Sequence, residues 1–179
     1  MFNLLAVSVL AVSAVAAPLN SRAVGPSVTI KNGTVVGSTN GIVDSFRGIP
    51  YAQPPVGDLR LRPARSITTS FGTITDNPLP RACPQFYTQV NTGNLGTDAI
   101  GLLSDSPLGQ AVTDAGEDCL TLNVQRPSTA TSSSKLPVVF WIYGGGFEFG
   151  STQTYDATSF ITKSITLGAP VIYVAVNYR

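Results

Sequence analysis

Apolar residues in this chain fall into short runs cut by glycine, asparagine and proline. Val28–Ile30, Thr34–Val36 and Ile42–Phe46 read as short strands, with Asn32-Gly33 and Asn40-Gly41 between them as hairpin turns. Thr121–Val124 alternates and reads as another strand. Val138-Val139-Phe140-Trp141-Ile142-Tyr143 is apolar without a break, as expected of a strand covered on both faces in a parallel sheet. Pro137 suits the start of that strand, because it has no N–H to offer a ladder. Tyr155–Leu167 carries Phe160, Ile161, Ile165 and Leu167, a spacing consistent with a helix that Gly168-Ala169-Pro170 ends. Val171–Tyr178 is a second fully apolar strand. Strand, helix and strand predict a βαβ unit with a right-handed crossover.

The remaining stretches predict loops. Gly48–Pro63 holds several prolines, Pro54 and Pro55 among them, and reads as an irregular surface path. Ser128–Lys135 is a Ser/Thr-rich connection between strands. Cys83–Cys119 encloses a long segment in which Phe86, Tyr87, Ile100, Leu102, Leu103 and Leu108 show no regular period. Long segments of this kind are functional or disordered. No internal repeat is present.

Residues 1–16 read as a signal peptide: the run is apolar, too short for a comfortable membrane span, and closes on Ala14-Val15-Ala16, an A-x-A cleavage signal. Residues 17–27 then form a loose mature N-terminus and residues 28–179 the folded domain. No second apolar stretch reaches membrane-spanning length, so secretion to the extracellular space is expected. Asn32-Gly33-Thr34 is a glycosylation sequon in a permissive compartment, though a tight turn hinders the transferase; glycan acceptor and plain turn both stand.

Composition narrows the chemistry. The chain has 179 residues, 43% hydrophobic and 12% charged, with a net charge of +1. That balance gives no electrostatic case for nucleic acid or an anionic membrane surface. There is no histidine, which removes most zinc sites and the usual general base. No metal or organic cofactor is implied. Cys83 and Cys119 match no zinc or thioredoxin spacing, and in a secreted chain a single disulfide is the economical reading.

The candidate chemistry sits where the Val138 run stops at Gly144-Gly145-Gly146. Glycines at the end of a strand let a ligand approach main-chain amides. In open α/β sheets, ligands bind just outside the carboxyl ends of strands. Bare N–H groups there can stabilise an oxyanion. Taken alone, the three glycines also read as an ordinary turn.

Three segments in order resemble the type-B carboxylesterase family, which includes cholinesterases and fungal lipases. They are Asp44-Ser45-Phe46-Arg47-Gly48-Ile49-Pro50-Tyr51 running on through Pro54-Pro55-Val56-Gly57 to Arg60, then Glu117-Asp118-Cys119-Leu120-Thr121-Leu122-Asn123-Val124, then Trp141–Phe147. The resemblance runs from Val28 to Arg179, and the stretch from Gly144 to Ser151 is closer to secreted fungal lipases than to cholinesterases. It implies the N-terminal part of an α/β-hydrolase fold, a small antiparallel sheet leading into a central mixed sheet. It also implies a Ser-Glu-His triad and a carboxylic ester or lipid as substrate.

Carried onto this sequence, the resemblance makes Gly145 and Gly146 the oxyanion donors. Gly144, Phe147 and Phe149 then border the acyl pocket or pack beneath it. Many family members have histidine where Tyr143 stands, and tyrosine also occurs. The family's pairings put Cys83 with Cys119 and Arg60 with Glu117; two independently solvated charges are the alternative for the latter. Family lipases carry an amphipathic lid between the equivalent cysteines. Ala99–Leu103 is a candidate for its apolar face, giving a transient lipid contact through residues 84–118, and an ordinary surface excursion fits the same residues.

No G-x-S-x-G elbow occurs in the sequence. The expectation is therefore a truncated esterase that carries the oxyanion loop but neither the nucleophilic serine nor the catalytic histidine. Alone, it should show no turnover. Val171–Tyr178 should be left as an uncovered sheet edge, the Val138 strand exposed on both faces, and the chain prone to aggregate. A non-catalytic adhesion-type domain and an inactive product are the competing readings.

Overall fold

The computed structural model describes residues 25–84, 115–147 and 150–179. Residues 1–16, expected as a signal peptide, the Ala99–Leu103 stretch and Phe149 lie outside the described residues.

Two sheets account for the strands. The smaller is β1 (Ser27–Ile30), β2 (Gly33–Val36) and β5 (Gly72–Thr75), in the order β1-β2-β5. β1 and β2 form the expected antiparallel hairpin, with Ile30 opposite Gly33. The turn is thus Lys31-Asn32, one residue earlier than the Asn32-Gly33 expected. β5 runs parallel to β2, Gly33 facing Gly72. A side chain at position 33 would meet the Gly72 carbonyl oxygen and the Phe71 ring, each at 2.4 Å, so this close approach requires glycine.

The larger sheet holds β3 (Ser38–Thr39), β4 (Val43–Pro50), β6 (Thr121–Pro127), β7 (Val138–Trp141) and β8 (Ile172–Val176), in the order β3-β4-β6-β8-β7. β4 pairs antiparallel with β6, β6 antiparallel with β8, and β8 parallel with β7. The sheet is mixed, as expected. β4 runs past Phe46 through an irregularity between Phe46 and Ile49. Gly48 has φ 78° there, and its N–H donates to Asn123 Oδ1 at 3.0 Å.

Two expectations about edges are corrected. The second apolar strand, β8, is interior, flanked by β6 and β7; the uncovered edge is β7. The Val138 run is neither covered on both faces nor exposed on both: Val139 packs against the buried cluster while its neighbours face outward. Val138 and Phe140 are each 58% exposed and Ile142 is 62% exposed. The reason is that β7 has one neighbour, and the single described α-helix packs on the sheet's opposite face.

That helix, α1, spans Thr158–Thr166, shorter than the expected Tyr155–Leu167. Asp156 stays outside because its Oδ1 accepts from the Thr158 N–H at 2.9 Å and from Gln125 Nε2 at 2.9 Å. An acceptor placed there satisfies a first-turn donor and starts the helix late. Ile161 is fully buried beneath α1 against Val43, Ala157, Tyr173 and Ala175. Burying a side chain of that size contributes about 1.5–3 kcal/mol.

β6 departs from apolar-in alternation. Its buried positions include Asn123 and Gln125, while Leu122 and Val124 are half-buried. Gln125 compensates by donating to Ser45 and Asp156 while accepting from the Ala157 N–H at 2.8 Å. Buried polar groups without such partners would cost about 1–3 kcal/mol each.

Candidate active site at the glycine loop

β7 and β8 run parallel, so their carboxyl ends open on the same side of the sheet. The glycine loop leaves from the end of β7. Gly145 has φ 140° and Gly146 φ 64°, conformations that a side chain disfavours. Phe147 also sits at positive φ, 63°, and is 95% exposed. It packs beneath nothing among the described residues. Gly144 and Gly146 are exposed, with no atom within 4 Å of an added Cβ. Among the described residues, the N–H groups of Gly145 and Gly146 donate to no acceptor.

Both ends of this loop are held by two consecutive residues at the end of β8. On the entry side, Tyr143 is buried and its ring stacks on Tyr178, with centroids 4.5 Å apart. Tyr178 Oη donates to the Tyr143 carbonyl oxygen at 2.9 Å, and Tyr143 Oη donates to the Tyr178 carbonyl oxygen at 3.2 Å. Burial raises the Tyr143 phenol above its ordinary value, opposed by its bond to the Tyr178 backbone. The group therefore stays protonated and able to donate.

On the exit side, Gly150 has φ 131° and lies against the Tyr143 ring, where an added Cβ would come within 2.5 Å. Ser151 and Thr152 follow, both buried, and the Thr152 N–H donates to Asn177 Oδ1 at 2.9 Å. Asn177 is fully buried. Its Nδ2 donates to the Arg81 carbonyl, its N–H to the Thr121 carbonyl, and its own carbonyl accepts from Tyr51 Oη at 2.8 Å. The Asn177 side chain thus ties the loop's exit to the segment before Cys83, and its backbone N–H ties the same residue to the start of β6. Asn177 and Tyr178 escaped the sequence reading. Their signal was a polar residue closing an otherwise apolar strand, read merely as the strand's end.

Cys83 and Cys119 form a disulfide, with Cα atoms 4.9 Å apart, buried beside Ala52 and Leu120. Arg60 and Glu117 meet on the surface nearby, with Arg60 Nη2 donating to Glu117 Oε2 at 2.7 Å. The pair is solvent-exposed, so the large cost of breaking a buried bridge does not apply. The hydrogen bond from Arg60 lowers the Glu117 carboxyl, and its counterpart raises the Arg60 guanidinium. Asn32 sits at the β1–β2 turn, its Nδ2 donating to the Ile67 carbonyl at 3.3 Å.

A more buried ion pair was not anticipated. Arg47 holds Asp76 through Nη2 to Oδ2 at 2.7 Å and Nε to Oδ1 at 3.1 Å, with the Asp76 side chain 6% exposed. A polar recess between Ser38, Asn40, Arg47, Gln125, Asp156 and Thr158 draws no lining residue from the glycine loop. No group of three or more metal-ligating side chains occurs among the described residues. No helix among them is long and apolar enough to cross a membrane.

Residues 24–179 match the carboxylesterase family. Secreted lipase 1 of Botryotinia fuckeliana is 49% identical over 166 residues, covering 90% of this chain and 29% of that relative. A secreted triacylglycerol lipase of Gibberella zeae is 46% identical over 162 residues, covering 90% of this chain and 27% of its own length. One relative, of Byssochlamys spectabilis, is named an inactive carboxylesterase-like protein and is 35% identical over 153 residues. The crystal structure of EstA from Aspergillus niger superposes with a TM-score of 0.67 at 30% identity, covering 87% of this chain and 26% of that one. The chain spans under a third of the length of these relatives, and its sheets form part of an α/β-hydrolase fold. By sequence match and by fold, this chain belongs to the carboxylesterase family.

Proposed function

We propose that the chain supplies the oxyanion side of a secreted carboxylic-ester hydrolase of the lipase kind. The observation that carries this reading is a pair of main-chain N–H groups, at Gly145 and Gly146, that no acceptor among the described residues claims, on a loop anchored at both ends beside parallel strand ends. In the proposed reaction a serine oxygen attacks the ester carbonyl and its proton passes to a histidine. The carbonyl oxygen becomes an oxyanion that accepts from Gly145 and Gly146. The alcohol then leaves with the proton, and water releases the acid from the acyl-enzyme. The chain holds no histidine and no G-x-S-x-G, so this reading assigns the base and the nucleophile to sequence outside these residues. The buried disulfide supports an oxidising, extracellular setting, as do the names of the two secreted lipases.

The test is hydrolysis of p-nitrophenyl esters by the longer protein that carries this chain, with and without a serine-directed inhibitor. Inhibitor-sensitive turnover is expected. A non-catalytic role, favoured by the relative named inactive, predicts a folded longer protein with no turnover.

A further inference from the structure

The sequence contains two Asn-Gly pairs, at Asn32-Gly33 and Asn40-Gly41, and the fold treats them in opposite ways. We propose that Asn40 is a site of spontaneous deamidation in the folded protein and that Asn32 is protected from it. In this reaction the backbone nitrogen of the following glycine attacks the asparagine Cγ. A C–N bond forms, the N–H proton is lost, and Oδ1 becomes an oxyanion. Nδ2 takes up a proton from water, the oxyanion re-forms the carbonyl, the Cγ–Nδ2 bond breaks, and ammonia leaves the five-membered succinimide ring. Water then opens the ring to aspartate or isoaspartate, so one water is consumed and one ammonia released.

Each step finds support around Asn40. Its Oδ1 accepts from the N–H groups of Ile42 at 2.9 Å and Val43 at 2.8 Å. Both bonds survive the attack and strengthen as that oxygen becomes negative, the principle by which fixed donors stabilise an oxyanion. The leaving nitrogen, Nδ2, donates to nothing among the described residues, so no bond must break for ammonia to depart. The attacking N–H of Gly41 donates to Thr39 Oγ1 at 3.1 Å, which draws its proton outward. Gly41 has φ 90° and open space around its Cα, and residues 38–42 are all exposed to the water that completes the reaction.

Asn32 has the reverse arrangement. Its leaving nitrogen is the donor, bonded to the carbonyls of Ile67 at 3.3 Å and Thr69 at 3.5 Å. Its own carbonyl accepts from the Phe71 N–H at 2.9 Å. Gly33 is paired with Ile30 on one side and Gly72 on the other, with the Phe71 ring against its Cα. Ring closure there would require dismantling the small sheet.

Trypsin cleaves after Lys31 and Arg47, so both asparagines fall in one peptide and report on each other. The longer protein that carries this chain is made in a bacterial periplasm, where the Asn32 sequon stays unmodified. It is incubated in mildly alkaline buffer with and without denaturant. The mass gain of amide-to-acid conversion is then located by electron-transfer fragmentation, which also marks isoaspartate. Conversion at Asn40 is expected to run about tenfold faster than at Asn32 in the native protein, the difference made by one or two hydrogen bonds, and the ratio should fall towards unity in denaturant. Equal native rates, a faster Asn32, or a ratio unchanged by denaturant would each overturn the proposal.

Discussion

Tyr143 and Tyr178 hold each other reciprocally: each phenol donates to the other's main-chain carbonyl while the rings stack 4.5 Å apart. The peptide before the first loop glycine is thereby fixed to the end of β8. Tyr178→Phe keeps the stack and removes the donor to the Tyr143 carbonyl. It should lower stability by about 0.5–1.5 kcal/mol. On the proposed function it should also lower kcat of the longer protein more than it changes KM, because the entry to the glycine loop loosens. Urea unfolding together with steady-state kinetics checks both parts. An unchanged kcat in the folded variant would separate the lock from the loop.

Asn177→Ala is expected to be more damaging. It strands the buried Thr152 N–H, whose acceptor is the fully buried Asn177 Oδ1. One unsatisfied buried donor, together with the space left by the amide, should cost about 1–3 kcal/mol. Thermal melting would show a large fall in Tm. A fall no greater than that of a surface substitution would mean that water takes over the Thr152 N–H.

Acid should act first through Asp76 and Asp156. Burial raises both carboxyls. Hydrogen bonds from Arg47 and Ser38 to Asp76, and from Thr158 and Gln125 to Asp156, outweigh it and leave both below the ordinary value. A folded pKa below the unfolded one gives stability that is present above about pH 4 and lost as the pH falls through the folded value. Asp76→Asn should lower stability at neutral pH by about 1.5–3 kcal/mol and flatten the acid limb of the stability curve. An acid limb as steep as that of the wild type would assign the transition to other groups.

The disulfide closes a loop with a sequence separation of 36 residues between Cys83 and Cys119. In the chain-entropy model, Cys83→Ser with Cys119→Ser should cost about 3–4 kcal/mol. Free thiols in the purified protein, found by non-reducing peptide mapping, would contradict the bond itself.

What could be read from the sequence was local. The Val138 run, its stop at three glycines and the strand after α1 all declared themselves by apolar runs and punctuation. Strand order did not. β8 looked like the edge because it comes last in the chain, yet β6 pairs with it from about fifty positions upstream and leaves β7 outermost. β5 went unseen because Gly72–Thr75 is short and mostly exposed, and the parallel neighbour that makes it a strand is remote in sequence. The anchors of the site were hidden for the same reason. Asn177, Gln125 and Asp76 take their meaning from partners 25 to 96 residues away, which no period or turn signal encodes.

The most direct measurement is ester hydrolysis by the longer protein with Gly145→Val, beside its urea unfolding curve. Gly145 has φ 140°, and no acceptor among the described residues claims its N–H. A β-branched side chain there would turn that donor away from the carbonyl oxygen. The account predicts a loss of about a hundredfold or more in kcat, the cost of one oxyanion donor, in a protein that still unfolds cooperatively. A folded Gly145→Val variant with wild-type turnover would contradict the assignment of this loop to the oxyanion.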